Sequence, residues 1–246
     1  MLISAAVCPH PPVLVPEAAG EAAPELDAMR AACDEAVRRL GASRPDAVVV
    51  VGGGPETRAY GGEATATLRP YGLDLVWGSG PDLPLSLTIG HWLLTRDGTL
   101  LGQGTSEVQP EGVRYQSVAF DATPDECLRL GRELAGCAPH VALLVMGDGT
   151  ACLSEKAPGS LDERAAGYED AVAQALGRAD TAALAGLDPE VSRQLQVAGR
   201  AAWQVLAGAA VGANRFEAGL LAREEPYGVG YLVASWRRPE RGQEAG

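Results

Sequence analysis

Three short stretches of this 246-residue chain combine residue types that could do chemistry. The first is Cys8-Pro9-His10-Pro11-Pro12, where the prolines would hold an imidazole in place at little entropic cost. Such an imidazole serves as a metal ligand or a general base; the plain alternative is a loop histidine with satisfied hydrogen bonds. The second is Gly52-Gly53-Gly54-Pro55-Glu56-Thr57-Arg58, whose small residues let backbone N–H groups approach an anion. It lacks the Lys-Ser/Thr of a phosphate loop and the G-x-G-x-x-G of a dinucleotide fingerprint, so a tight turn is the competing reading. The third is Gly147-Asp148-Gly149-Thr150-Ala151-Cys152, followed by Glu155 and by Lys156, the chain's single lysine. Asp148 could bind a metal or orient His10, and Cys152 could act as a nucleophile or ligand if it faces His10. Asp-Gly is also ordinary turn chemistry, and a lone cysteine among small residues is ordinary core filler.

The other polar candidates have weaker claims. His91 lies in a segment that alternates like a strand and is expected to pack on a sheet face. His140 precedes the strand whose far end carries Asp148, roughly 20 Å away at 3.3 Å per residue. Glu155-Lys156 reads most simply as a surface pair, and Glu224-Glu225 as a solvated turn.

These loops must be held by elements, and the hydrophobic pattern supplies them. Leu2 to Val7 is an apolar run ended by prolines, which predicts a buried strand. The spacing of Leu26, Met29, Cys33, Val37 and Leu40 predicts a helix from about Pro24 to Leu40. Ala47 to Val51 is a run without alternation, as expected of a strand covered on both faces of a parallel sheet. Strand, helix, strand then implies a right-handed crossover. From Glu63 to Phe120 the pattern turns β-rich, with pieces at Thr65 to Leu68, Leu85 to Leu94, Thr99 to Leu101 and Val113 to Phe120.

Thr123-Pro124-Asp125-Glu126 is a capping box opening a helix, and Val141 to Met146 is another buried strand. Helices are expected over Leu161 to Leu176, after Asp180, and after Asp188-Pro189, the last with the stripe Val191, Leu195, Ala198, Ala202 and Leu206 and with Trp203 in the core. Tyr227 to Trp236 closes the chain as a strand. The reading is one α/β domain over residues 1–238, a central mixed, mostly parallel sheet flanked by helices with a β-rich middle segment, and a frayed tail at 239–246. Ligands of such sheets bind beyond the carboxyl ends of the strands, which is where all three loops fall. The expected cleft is lined by Cys8, Gly53, Gly54, Glu56, Thr57, Arg58, Gly149, Thr150 and Lys156, with His10, Asp148 and Cys152 at its centre.

The formal charge of −12, without a basic cluster, would repel a phosphate backbone and argues against nucleic acid as a partner. No apolar run reaches membrane-spanning length, and Leu2 to Val7 lacks the basic flank of a signal peptide. Five irregularly spaced cysteines with no C-x-x-C pair point to reduced thiols and a cytoplasmic protein.

As a set, His10 after the first strand, Pro45-Asp46 leading into Val48 to Val51, Gly147-Asp148-Gly149 and Tyr227-Gly228-Val229-Gly230-Tyr231 resemble the class III extradiol ring-cleavage dioxygenase superfamily, which includes Memo-like proteins. The resemblance implies an oxidoreductase in which two histidines and a glutamate hold non-haem Fe(II), a further histidine acts as acid/base, and O₂ cleaves a catechol beside a hydroxyl. His10 matches the first ligand. The second histidine would follow Val51, yet residues 52–57 contain none and Pro55 is nearest its place. The catalytic histidine falls near Cys152 and the glutamate near Gly199, ahead of Trp203. Three of the four functional positions are therefore unmatched, which marks a divergent active site. Three outcomes remain open: a ring-cleavage enzyme with Fe(II) or another divalent metal on a site rearranged from His10, Cys152, Asp148 and Glu56; a non-catalytic relative that keeps the fold and binds a small molecule or protein in the cleft; or a metal-free hydrolase or transferase using a Cys152–His10 pair. By analogy with the family, self-association as a homo-oligomer is expected.

Overall fold

The computed structural model describes residues 1–96, 113–212 and 215–239. The N-terminal apolar run forms β1 (Leu2–Cys8), buried apart from Ile3. After two 3₁₀ turns and the short α1 (Pro16–Ala19) comes α2 (Asp27–Ala42), which buries Met29, Cys33, Val37 and Leu40 as the sequence spacing predicts. The chain then runs through β2 (Ala47–Gly54), β3 (Arg58–Tyr60), the two-residue strands β4 (Ala66–Thr67) and β5 (Val76–Trp77), and α3 (Leu85–Thr95). β6 (Val113–Ala119), α4 (Pro124–Ala135) and β7 (Val141–Met146) follow, then α5 (Ala165–Arg178), α6 (Thr181–Ala185), α7 (Pro189–Gln194) and α8 (Arg200–Ala209). The described chain ends on the hairpin of β8 (Glu217–Glu224) and β9 (Tyr231–Arg237).

Seven strands form one mixed sheet in the order β3-β6-β2-β7-β1-β9-β8, with β4 and β5 paired separately. The central four, β6, β2, β7 and β1, are parallel, so their carboxyl ends share one edge. Alternate residues serve opposite faces. Ala6, Cys8, Val48, Val50, Leu144 and Met146 pack with α2 and α3, whereas Val7, Val49, Val51, Leu143 and Val145 pack with α4, α5 and α8. A strand covered on both sides needs an unbroken apolar run, which is why β2 and β7 show no alternation.

The connections reverse between β1 and β7. The chain leaves β1 for α2 on one face and leaves β7 for α5 on the other, although the two strands are hydrogen-bonded neighbours. Two chain segments peeling apart to opposite faces from adjacent strand ends mark a switch point, the place where the crevice of open α/β sheets takes its ligands.

Several expectations are corrected. Leu85–Thr95 is a helix, not a strand; its polar alternation misleads because Ser86 and Thr88 are buried, Ser86 donating across to Gly53 O of β2 and Thr88 to Leu83 O just before the helix. His91 therefore sits on α3, where its Nδ1 meets the Tyr115 hydroxyl at 2.6 Å and its ring tilts against Trp77. Gly52, Gly53 and Gly54 are the last residues of β2, paired with Ser117, Val118 and Ala119, rather than a loop. The long helix expected after Asp188 is broken, because Gln196 takes a left-handed conformation at φ 51° and the chain restarts at α8. Tyr227 likewise lies in a turn at φ 60°, so the last strand starts at Tyr231, and β8 has no counterpart in the expected pattern. Thr99 to Leu101 and residues 240–246 of the expected tail lie outside the described residues.

The capping box forms as its spacing requires. Glu126 N–H donates to Thr123 Oγ1, and Thr123 N–H donates to the Glu126 carboxylate, which these bonds hold below the usual range. Thr123→Ala should cost about 1 kcal/mol of stability, read as a lower urea midpoint with an unchanged denaturant slope. Among the described residues no helix is long and apolar enough to cross a membrane.

Candidate functional site

His10 lies two residues beyond β1 and faces the loop after β7 across the crevice. Its backbone N–H donates to Asp148 Oδ1 at 2.7 Å, and the same oxygen lies 3.5 Å from His10 Nδ1. The histidine is 6% exposed and Nδ1 has no hydrogen-bond partner. A buried polar nitrogen is rarely left so, and the geometry is that of an imidazole held beside an orienting carboxylate with capacity to spare. The sequence thus correctly brings His10 and Asp148 together.

The loop carrying Asp148 is fixed on every side. Gly147 N–H donates to Cys8 O, Gly149 N–H to Gly230 O, Gly230 N–H to Thr150 O, and Gly199 N–H to Asp148 O. Thr150 donates its hydroxyl to Leu195 O at 2.8 Å and its backbone N–H to Glu169 Oε2 at 3.0 Å. Residues 147–150 are therefore positioned by β1, the turn before β9, α5 and the approach to α8 together. A site built this way has little freedom to wander.

Glu169 is a buried candidate that the sequence reading missed. It sits on α5, fully buried, with Oε1 unpartnered. Burial pushes its carboxyl up to about 7, against the pull of the Thr150 amide and Arg223, while Glu225 and Asp148 add to the rise. Glycine makes this possible: a Cβ at Gly149 would lie 2.3 Å from the carboxylate oxygens, and one at Gly230 2.1 Å from Oε1. The signal was present in the stripe Ala165, Glu169, Val172, Ala173 and Leu176, which places a glutamate on the buried face of a helix.

Trp203 is core, as expected, but its Nε1 also lacks a partner. The indole lies over Gly199, whose Cβ would meet it at 2.3 Å, and its Nε1 would lie 2.9 Å from a Cβ at Gly147. Nearby, Arg200 is 3% exposed and donates to Ala122 O, Phe120 O and Gln204 Oε1, with no carboxylate partner among the described residues.

Other expected cleft residues lie elsewhere. Cys8 turns to the α2 side, where its thiol engages Cys33 and helps to raise that thiol's pKa. Gly53 is covered by the Phe120 ring, and Gly54 packs against Ser117 and Pro84. Glu56, Thr57 and Arg58 are exposed at the far edge: Thr57 Oγ1 accepts from Ala119 N–H, and Arg58 pairs with Glu56 and lies over Tyr60. β3 is four strand spacings from β1, roughly 19 Å at about 4.8 Å each, so these three do not join His10. Cys152 is buried and donates its thiol to Gly159 O at 3.6 Å, which removes the support for a Cys152–His10 pair. Glu155 and Lys156 are exposed. His140 pairs with Asp46 at 3.0 Å, at the opposite end of β7 from Asp148.

The donor set does not fit Fe(II). Two histidines and a carboxylate on one face are needed, and among the described residues no three His, Cys, Asp or Glu side chains come together as ligands would. The position expected for the second histidine is strand and turn, and that expected for the glutamate is Gly199, against which the Trp203 indole is packed.

No family model and no curated protein matches the chain. Among solved structures, the uncharacterized protein JW3007 from Escherichia coli K12 is similar, with a TM-score of 0.50 at 15% identity over 95% of this chain and 99% of that one. At that identity the likeness concerns the fold alone.

Proposed function

We propose that the protein is a divergent, cytoplasmic relative of the class III extradiol dioxygenases whose switch-point crevice binds a small molecule against the His10–Asp148 pair without iron. The observation that carries this reading is the buried, unpartnered Nδ1 of His10, held beside Asp148 where the chain direction reverses. A ligand hydroxyl or amine would complete the hydrogen bonds of the imidazole and of Asp148, and a weakly acidic hydroxyl could pass its proton to the imidazole. The donor set leaves no basis for a ring-cleavage step.

Anaerobic purification with Fe(II), metal analysis and a catechol assay test the iron-free part. The expected outcome is substoichiometric iron and no yellow ring-opened product. Stoichiometric iron that disappears in His10→Ala, together with ring opening, would establish the dioxygenase instead. For binding, a set of hydroxylated aromatic probes should shift the His10 ring signals, with affinity falling about tenfold in His10→Ala as a hydrogen bond is lost.

A further inference from the structure

α8 begins without a cap. Gly199 is its N-cap residue and offers no side chain, and among the described residues nothing accepts from the N–H groups of Arg200, Ala201 and Ala202, all buried. Uncapped, buried helix amides require a partner from outside the helix. Three further features point to the sign of that partner. The indole N–H of Trp203 is buried, unpartnered, and emerges beside Gly147 and the N-cap Gly199. Arg200 brings a buried positive charge that only neutral oxygens and a thiol meet. The positive end of the helix dipole adds to both.

The place is the crevice rather than a remote surface. Ala198 O would lie 3.2 Å from a Cβ on Gly53 near the end of β2, and Gly199 N–H bonds to Asp148 O after β7. β1, β7 and β2 are consecutive in the sheet, so a group at the start of α8 lies roughly one to two strand spacings, about 5–10 Å, from His10. We propose that the N-terminus of α8 is an oxyanion cradle, in which the amides of Arg200, Ala201 and Ala202 and the Trp203 indole N–H receive the carboxylate or phosphate of the crevice ligand. This deepens the small-molecule reading of the same crevice and rests on it. The ligand class is a small acid with a hydroxyl or amine at the His10 end.

The test is an amide and indole NMR titration of the full chain with inorganic phosphate and, separately, benzoate. Saturable shifts of the Trp203 indole and the Arg200, Ala201 and Ala202 amides support the cradle, and the probe that binds tighter identifies phosphate or carboxylate. Trp203→Phe should weaken that binding about tenfold, the loss of one hydrogen bond to a charged group. Because the wild-type map is read directly, poor folding of the variant leaves the result standing. Absence of shifts at these four residues with either probe overturns the cradle. Shifts at His10 with hydroxylated aromatics but none at α8 with phosphate or benzoate overturn the cradle alone, whereas α8 shifts with phosphate or benzoate beside a His10 that stays silent to hydroxylated aromatics overturn the His10-centred reading and keep the cradle.

Discussion

Replacing Glu169 with glutamine removes a pH dependence from stability worth about 3 kcal/mol. Burial raises this carboxyl from 4.5 to about 7 in the folded protein. Between those values the folded state holds a proton that the unfolded chain has released, so stability falls as pH rises. The contribution is complete below 4.5 and is lost as pH passes through about 7. A gap of about 2.5 pH units at about 1.36 kcal/mol each gives the magnitude. Glutamine has the same shape, keeps an oxygen for Thr150 N–H and does not titrate. Urea unfolding of both proteins at pH 4.5 and pH 8.5 measures the effect. The variant should gain about 3 kcal/mol on wild type across that range. Parallel curves would mean that Glu169 is not held neutral by burial.

That a carboxyl beside the crevice is half protonated near neutrality bears on function. It is a buried group whose charge changes in the physiological range, and it touches the loop that carries Asp148. Its neutral form can donate through Oε1, which has no partner in the folded chain. Perturbed carboxyls of this kind cluster at functional sites, where a group must change its proton at working pH.

The frame of the molecule was legible because it follows from one-dimensional patterns. Two-sided burial explains the unbroken runs of β2 and β7, and the Thr123–Glu126 box fixes the start of α4. The pairing of His10 with Asp148 was legible for the same reason, since parallel strands carry their following loops to one edge. Errors arose where a local signal competed with tertiary context. Leu85 to Leu94 alternates in polarity, yet it forms a helix packed tightly against the sheet, so both its apolar and its small polar residues are buried. Gly52 to Gly54 has turn composition, but the glycines are selected by neighbours: Ser86 of α3 crowds Gly52, and the Phe120 ring crowds Gly53. Glu169 escaped notice because its importance lies in contacts with Gly149 and Gly230, far away in sequence. β8 has intermediate burial and mixed polarity, so neither period stands out.

Gly230→Ala should cost about 1–3 kcal/mol, and truncating Glu169 should recover much of it. The added methyl would sit 2.1 Å from Glu169 Oε1. Gly230 cannot yield, because its N–H is bound to Thr150 O and its carbonyl to Gly149 N–H. Overpacking a fixed site therefore displaces the carboxylate or opens the loop. Glu169→Ala alone is also destabilising, since it empties the space and leaves the buried Thr150 N–H without an acceptor. In the double variant the new methyl occupies space that the carboxylate left. Its loss should fall short of the sum of the single losses by about 1–3 kcal/mol, measured as urea unfolding in a double-mutant cycle. The same cycle reports on the crevice: His10 ring signals should move in Gly230→Ala and return toward wild type in the double variant, because Asp148 is carried by the strained loop. Additive energies would mean that Glu169 and Gly230 do not meet, and an unmoved His10 would show that the carboxylate supports the fold without shaping the site.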